Sequence, residues 1–215
     1  MGTESQTHMA PLKSELLRVA GDLLEKEGVD ALSLRRVAAA AGVSHMAPYR
    51  HFDKKDALLA AVAVTGFRDL VAAIDDAVSK EETGPLKSRA IGMAYVGFAC
   101  ERPALYRLMF GPRYADPEAF PELADAVNAA ATRCFEAVTL LNPRQGRQDL
   151  EAAETLGIAI WSLAHGLATL LIDGRIDVDD EPGGQAGLAE RVLDIIGRIA
   201  DADVSGKTAT EDRPA

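Results

Sequence analysis

A chain of 215 residues with 48% hydrophobic content can bury a real core, which excludes a disordered polymer and leaves one generous domain or a small head with a larger body. Aromatics are only 5%, alanine is abundant and no β-type alternation of useful length occurs, so the expected class is all-α. The net charge is −10, and the two cysteines, Cys100 and Cys134, form neither a CxxC pair nor a zinc pattern, so buried, reduced, inert thiols are expected and no metal or cofactor.

Residues 1–9 are polar and expected to be disordered, and the N-terminal stretch lacks the basic-then-apolar layout of a signal peptide, which points to the cytoplasm. The spacing of Leu12, Leu16, Val19, Leu23 and Leu24 predicts a helix from Ala10 to about Lys26 or Glu27, ended by Gly28. Ser33 stands where an N-cap belongs, and Val37, Ala38 and Ala41 then mark the buried face of a second helix that Gly42 stops. Ser44 can cap a short third helix from His45 to about Phe52, with Pro48 in or just after its first turn. A long helix follows from Lys54 to about Val78, with Leu59, Val62, Gly66, Leu70 and Ile74 on one face; it is the evident rigid link from head to body.

After a polar break, Leu86 to Arg102 carries Ile91, Ala94, Tyr95 and Phe98 on its apolar side, and Pro103 opens a short helix closed by Gly111 and Pro112. Beyond the 112–117 connection, a helix from Pro121 to Leu141 is expected to turn Val127, Ala131, Cys134, Phe135 and Val138 inward, and Asn142-Pro143 breaks it. The most apolar helix spans Gln148 to Ile172. Its Leu156–Ile172 part comes nearest to a membrane span, but it contains Ser162, His165 and Thr169 and falls short of the ~20 residues a bilayer needs, so a helix buried in a core or subunit interface is the better reading. An acidic loop to Gly187 leads to a last amphipathic helix, Leu188 to about Ala200, with Val192, Ile195, Ile196 and Ile199 on one face; the 203–215 tail is expected to be disordered.

Helix, tight turn and short helix over residues 34–52 form a helix-turn-helix, whose second helix is the one placed in a DNA major groove. His45, Met46, Ala47 and Arg50 suit base edges, Tyr49 and His51 suit phosphate oxygens, and Lys54 and Lys55 open the next helix, where free amides favour a phosphate. From Ala31 to Lys55, five basic residues (Arg35, Arg36, Arg50, Lys54, Lys55) face Asp53 alone, an island of +4 in a chain of −10.

The run AAAAGVS…YRHFDKKDALL resembles the DNA-binding segment of the TetR family of bacterial transcriptional regulators, through Ala38, Gly42, Val43, Ser44, Tyr49, His51, Phe52, Lys55 and Leu58. The resemblance covers roughly Leu12 to Leu59. It implies that Tyr49, His51 and Lys55 hold phosphates while Arg35 and residues 45, 46, 47 and 50 carry operator choice; Ser33 and Ser44 complete the DNA-binding set. WSLAHG (Trp161–Gly166) together with RPALYRLMFG resembles the WHG type of C-terminal domain found in a branch of that family. This implies an effector pocket among the helices and pairing of the last two long helices across a two-fold axis.

The expected organisation is therefore a three-helix head over 10–56 and a helical-bundle body over 57–202. Two such chains would form a homodimer through helices at about 148–172 and 188–200 and bind a palindromic double-stranded operator. Pocket candidates are Phe67, Tyr95, Phe98, Tyr106, Met109, Phe110, Phe135, Trp161 and His165, suggesting a small hydrophobic or aromatic effector. Any one of them is more often core than ligand contact, and His165 reads first as a buried, hydrogen-bonded structural histidine and second as a ligand contact. No HExxH, Glu-x-x-His pair, Gly-rich phosphate loop or activated nucleophile supports an enzyme, so no catalytic residue is assigned. Asp75-Asp76 and Asp179-Asp180-Glu181 read as solvated charge. The rival to a regulator is a helical-bundle small-molecule or lipid carrier, or an interaction module without DNA binding, and Tyr49, Arg50, His51 and Lys55 argue against it. Substituting Arg50→Ala is expected to relax sequence choice at a cost of ~1–3 kcal/mol. Lys55→Ala should weaken all DNA alike and flatten the salt slope. Titrations of matched and scrambled duplexes across salt concentrations separate the two, and identical behaviour would contradict this division of roles.

Overall fold

Gly42 sets a sharp corner of the backbone between the second helix and the recognition turn. In the computed structural model, which describes residues 4–111, 119–141, 150–179 and 181–195, its φ is +67°. Around it the amide of Val43 bonds Ala38 O at 3.0 Å and that of Gly42 bonds Ala39 O at 3.2 Å, the paired closure of a helix whose next residue is left-handed. The same closure recurs at Gly174, where Arg175 N reaches Leu170 O and Gly174 N reaches Leu171 O.

Among the described residues all regular structure is helical: α1 (Glu4–Glu27), α2 (Leu34–Ala40), a 3-10 turn (Pro48–Arg50), α3 (Lys55–Ser79), α4 (Gly84–Glu101), α5 (Pro103–Met109), α6 (Pro121–Leu141), α7 (Leu150–Ile172) and α8 (184–195). The chain divides into two compact units, residues 1–69 with 102–128, and 70–101 with 129–215. In the first, α1 buries Leu16, Val19, Ala20 and Leu24, α2 buries Leu34, Val37 and Ala38, and α5 buries Leu105, Tyr106 and Met109. In the second, α4 packs along α7, with Ile91, Tyr95, Val96 and Phe98 buried on one and Ala164, Leu167, Ala168 and Leu171 on the other. The face expected for the long helix is observed, with Leu59, Val62, Gly66, Leu70 and Ile74 all buried. Both α3 and residues 154–172 of α7 are long and apolar enough to cross a bilayer, but more than half of the α3 window is buried against a third of the α7 window, so α7 is the helix left short of cover.

Several expectations are corrected. α1 begins at Glu4 rather than Ala10 and carries Pro11 inside it, since ESQTHMA holds no Gly or Pro to stop a helix running back. The second helix of the motif is not an α-helix over 45–52. Pro48 has no amide to bond Ser44 O, so Ala47 N takes that carbonyl at 2.9 Å and the chain winds as a 3-10 turn, with one α-type bond from Phe52 N to Pro48 O. On α6 the buried residues are Leu123, Ala126 and Ala130, while Val127 and Phe135 are exposed. Spacing of three and four residues fits both the 123, 126, 130 face and the 127, 131, 134 face, so periodicity alone did not choose between them. The last helix starts at 184, four residues early, and buries Ala189 and Leu193 with Ile195 outside. Residues 1–3, the 112–118 connection, Asn142-Pro143, Ile196, Ile199 and the 203–215 tail lie outside the described residues, as does the side chain of Val138.

A side chain at position 42 must accept a left-handed backbone, which costs an ordinary L-residue about 1–2 kcal/mol. Gly42→Ala is therefore expected to lower stability by about that much in denaturant melts, and Gly42→Asn by less, because Asn tolerates this region. Equal losses would mean that the corner is not what the glycine is for.

Candidate nucleic-acid interface

The motif is built from its caps upward. Ser33 sits at extended φ/ψ, and its Oγ accepts the Arg36 amide at 3.1 Å, starting α2 as expected. This start leaves Arg35 exposed on the first turn. Past the Gly42 corner, Ser44, His45, Met46, Tyr49 and Arg50 are exposed and Ala47 is half-buried. Met46 is 57% exposed and Tyr49 49%, large apolar groups held in water by a turn whose other side buries Pro48 and Phe52. Arg35, His45, Met46 and Tyr49 line one open concavity of about 430 Å³. Thus the structure brings together four of the ten expected DNA-facing residues, from both limbs of the motif.

Lys55 and His51 are half-buried. Lys55 Nζ donates to Val29 O at 2.8 Å and to Asp30 O at 3.4 Å, tying the start of α3 to the end of α1. His51 is half-buried, and burial, then the charges of Lys13 and Arg50, push its pKa below the usual histidine value. Its ring is therefore neutral at neutral pH, and Nε2 is buried without a hydrogen-bond partner. The influence of Lys13 was not foreseen; no local spacing links residue 13 to residue 51, which the fold alone brings near. Arg36, counted in the basic island, pairs with Glu27.

The effector candidates separate into two groups. Phe67, Tyr106, Met109 and Phe110 lie in the first unit, with Phe67 and Phe110 edge to face at 5.3 Å and Tyr106 and Phe110 at 4.8 Å. Tyr95, Phe98, Phe135, Trp161 and His165 lie in the second. There Tyr95 Oη stands 2.9 Å from His165 Nδ1 and accepts the Trp161 Nε1 proton at 3.3 Å. Burial lowers the His165 pKa, which favours the neutral ring at this contact. Trp161 and Phe135 remain 39% and 36% exposed. Cys100 and Cys134 are free thiols whose pKa values burial raises, Cys134 to about 11, which keeps them protonated and unreactive.

Residues 88–196, half of the chain, match the tetracyclin repressor-like C-terminal domain, and residues 16–62 match the domain of bacterial regulatory proteins of the tetR family. The chain belongs to the TetR family. It is a DNA-binding transcriptional regulator, and the family is one of regulators rather than enzymes. A TetR-like fold is shared with a protein of unknown function from Rhodococcus sp. RHA1, 33% identical, with 87% of this chain and 94% of that one covered at a TM-score of 0.72. The regulator FadR from Bacillus subtilis, solved in complex with stearoyl-CoA, is 13% identical over 85% of this chain and 96% of its own, with a TM-score of 0.64, a likeness of fold. The nucleoid occlusion factor SlmA of Enterobacter sp. (strain 638) is 28% identical over 109 residues; that match spans half of this TetR chain and 55% of the curated relative.

Since the folded pKa of His165 lies below the ordinary 6.5, the unfolded chain takes up the proton first as pH falls. Stability is thus full above 6.5 and declines as pH drops through that value, and His51 acts in the same sense. Thermal melts between about pH 7 and pH 5 should show the decline, and His165→Asn should make it shallower. An unchanged slope in the variant would mean that His165 is not held neutral in the fold.

Proposed function

We propose that the protein is a homodimeric repressor whose head, residues 10–56, reads a palindromic operator and whose WHG-type body, residues 57–202, binds a small hydrophobic or aromatic effector. The observation that carries the reading is the concavity lined by Arg35, His45, Met46 and Tyr49, where a guanidinium, an imidazole, a thioether and a phenol stand exposed together. An Arg suits a guanine edge and a thioether a thymine methyl. Arg50 adds a second base reader, while Ser33, Ser44, Ala47, His51 and Lys55 complete the contact surface, Lys55 with whatever donor capacity its two carbonyl bonds leave. Its site of action is the bacterial cytoplasm, where the operator is.

Dimerisation is supported by apolar surface that a single chain leaves in water. Ile158, Leu163 and Leu170 of α7 and Ile195 of α8 are each more than a third exposed. A second copy across a two-fold axis would cover them and supply the second head that a palindrome requires.

Effector binding is assigned to the second unit, at the group of Tyr95, His165 and the accessible Trp161, with Phe98 and Phe135 as further candidates. A ligand there releases the operator only if it prefers the arrangement of heads that does not fit DNA, with α3 as the lever. Stearoyl-CoA, bound in the FadR structure from Bacillus subtilis, belongs in the first screen.

The test is a selection from random duplex DNA with wild type and Tyr49→Ala side by side. Enrichment of a palindrome by wild type alone is expected. No enrichment by wild type at low salt would overturn the reading of the head, and a single half-site would overturn the dimer.

A further inference from the structure

A second concavity lies within the first unit and shares no residue with the one lined by Arg35 and Tyr49. Its walls are Lys13 of α1, His51 and Phe52 at the exit of the recognition turn, one face of α3 from Ala57 to Val64, and residues 119–123 where α6 begins. The volume is about 240 Å³, below the roughly 300–1,000 Å³ of sites that take drug-sized ligands.

The room comes from the α3 wall. Positions 57, 60, 61 and 64 recur at the three- and four-residue spacing of one helix face, and the first three are alanines, whose side chains end at Cβ. Ala57 and Ala61 are half-buried, while Phe52, Val64 and Leu123 are buried and make the floor apolar.

The polar side chains on the walls are Lys13, His51 and Glu122. Glu122 is exposed and its charge meets water, whereas Lys13 is half-buried. No hydrogen bond or ion pair to a described residue holds the Lys13 ammonium. The charges that act on the His51 ring are both positive, Lys13 and Arg50, so the potential at that wall is positive although Glu122 also lines the concavity. His51 Nε2 is buried without a partner, and a buried polar atom left unpaired calls for a water, ion or ligand to complete its surroundings.

We propose that this concavity is a small-molecule site carried by the DNA-reading unit itself, and that it takes a small amphiphilic carboxylate, a medium-length alkyl acid or a single-ring aryl acid. The carboxylate meets Lys13, and the apolar body lies along Ala57 and Ala61 towards Phe120. Volume limits the size of the ligand, the alanine wall selects an apolar body, and the uncompensated ammonium selects an anionic head. An alkylammonium would face Lys13 as a like charge. The site is separate from the effector group around Tyr95, which lies in the second unit, and the inference rests neither on the operator nor on the dimer proposed above.

Sodium octanoate and sodium phenylacetate are the probes, titrated by calorimetry into the full chain as wild type, Lys13→Met and Ala61→Leu, with 1-octanol and octylammonium as controls. Lys13→Met keeps the reach of the side chain and removes its charge. Ala61→Leu fills the concavity from a helix that accommodates leucine well. Wild type should bind at least one of the two acids saturably, with Kd on the order of 1 mM or tighter, and octylammonium not at all. Lys13→Met should weaken that binding about tenfold, to the level of octanol, as expected for a lost charge-assisted bond. Ala61→Leu should abolish it. No saturable binding of either acid by wild type up to about 10 mM overturns the proposal. Undiminished binding in Ala61→Leu puts the acid elsewhere on the chain and overturns the site, and undiminished binding in Lys13→Met overturns the anionic head. If circular dichroism shows that Ala61→Leu does not fold, Ala57→Met replaces it under the same criteria.

Discussion

At Gly42 the backbone passes through φ +67°, and through that corner α2 delivers the chain to the recognition turn. The closing bonds, Val43 N to Ala38 O and Gly42 N to Ala39 O, fix the direction in which the next residues leave. Pro48 then forbids an α-helical continuation and tightens the turn, which puts His45, Met46 and Tyr49 on one rim with Arg35 from the start of α2. Ser33 sets the other limb by capping α2, and the Lys55 ammonium on Val29 O holds the exit. Each of these bonds holds the backbone, and none of them uses the exposed side chains at 35, 45, 46, 49 and 50.

In the second unit the comparable node is the Tyr95 hydroxyl. Trp161 and His165 are four residues apart on α7 and therefore share a face, and one phenol on α4 meets both. The phenol receives a proton from the indole and shares a hydrogen bond with the imidazole, which is neutral above its lowered pKa. Burial favours that state. The tryptophan and histidine of WSLAHG thus have a shared physical reason, independent of any ligand.

Charge acts on a different scale from either node. The chain carries −10 overall, and DNA is repelled by most of its surface. Of the five basic residues between 31 and 55, Arg36 is paired with Glu27 and Lys55 is spent partly on carbonyls. Arg35, Arg50 and Lys54 remain exposed to attract phosphate. A basic patch on a chain of net negative charge favours approach of a duplex from that side.

Local rules made much of this legible. The Ser33 cap, the Gly42 stop, the α3 stripe and the α4 stripe follow from spacing of three and four residues and from the conformational range of glycine, and each is found where that spacing puts it. Those rules were less reliable where neighbours in space decide. Among the described side chains of α6 the buried ones are Leu123, Ala126 and Ala130 rather than Val127 and Phe135, and three- and four-residue spacing fits either face. The effector list mixed two sets of aromatics, since periodicity says which residues share a face but not which core that face enters. By itself the sequence determined the helical class, the corner at Gly42 and the basic reader, all properties of contiguous chain. Only the tertiary structure decided that Glu25 caps α5, that Lys13 bears on His51 and that Tyr95 joins Trp161 to His165, because each pairs groups that no local spacing relates.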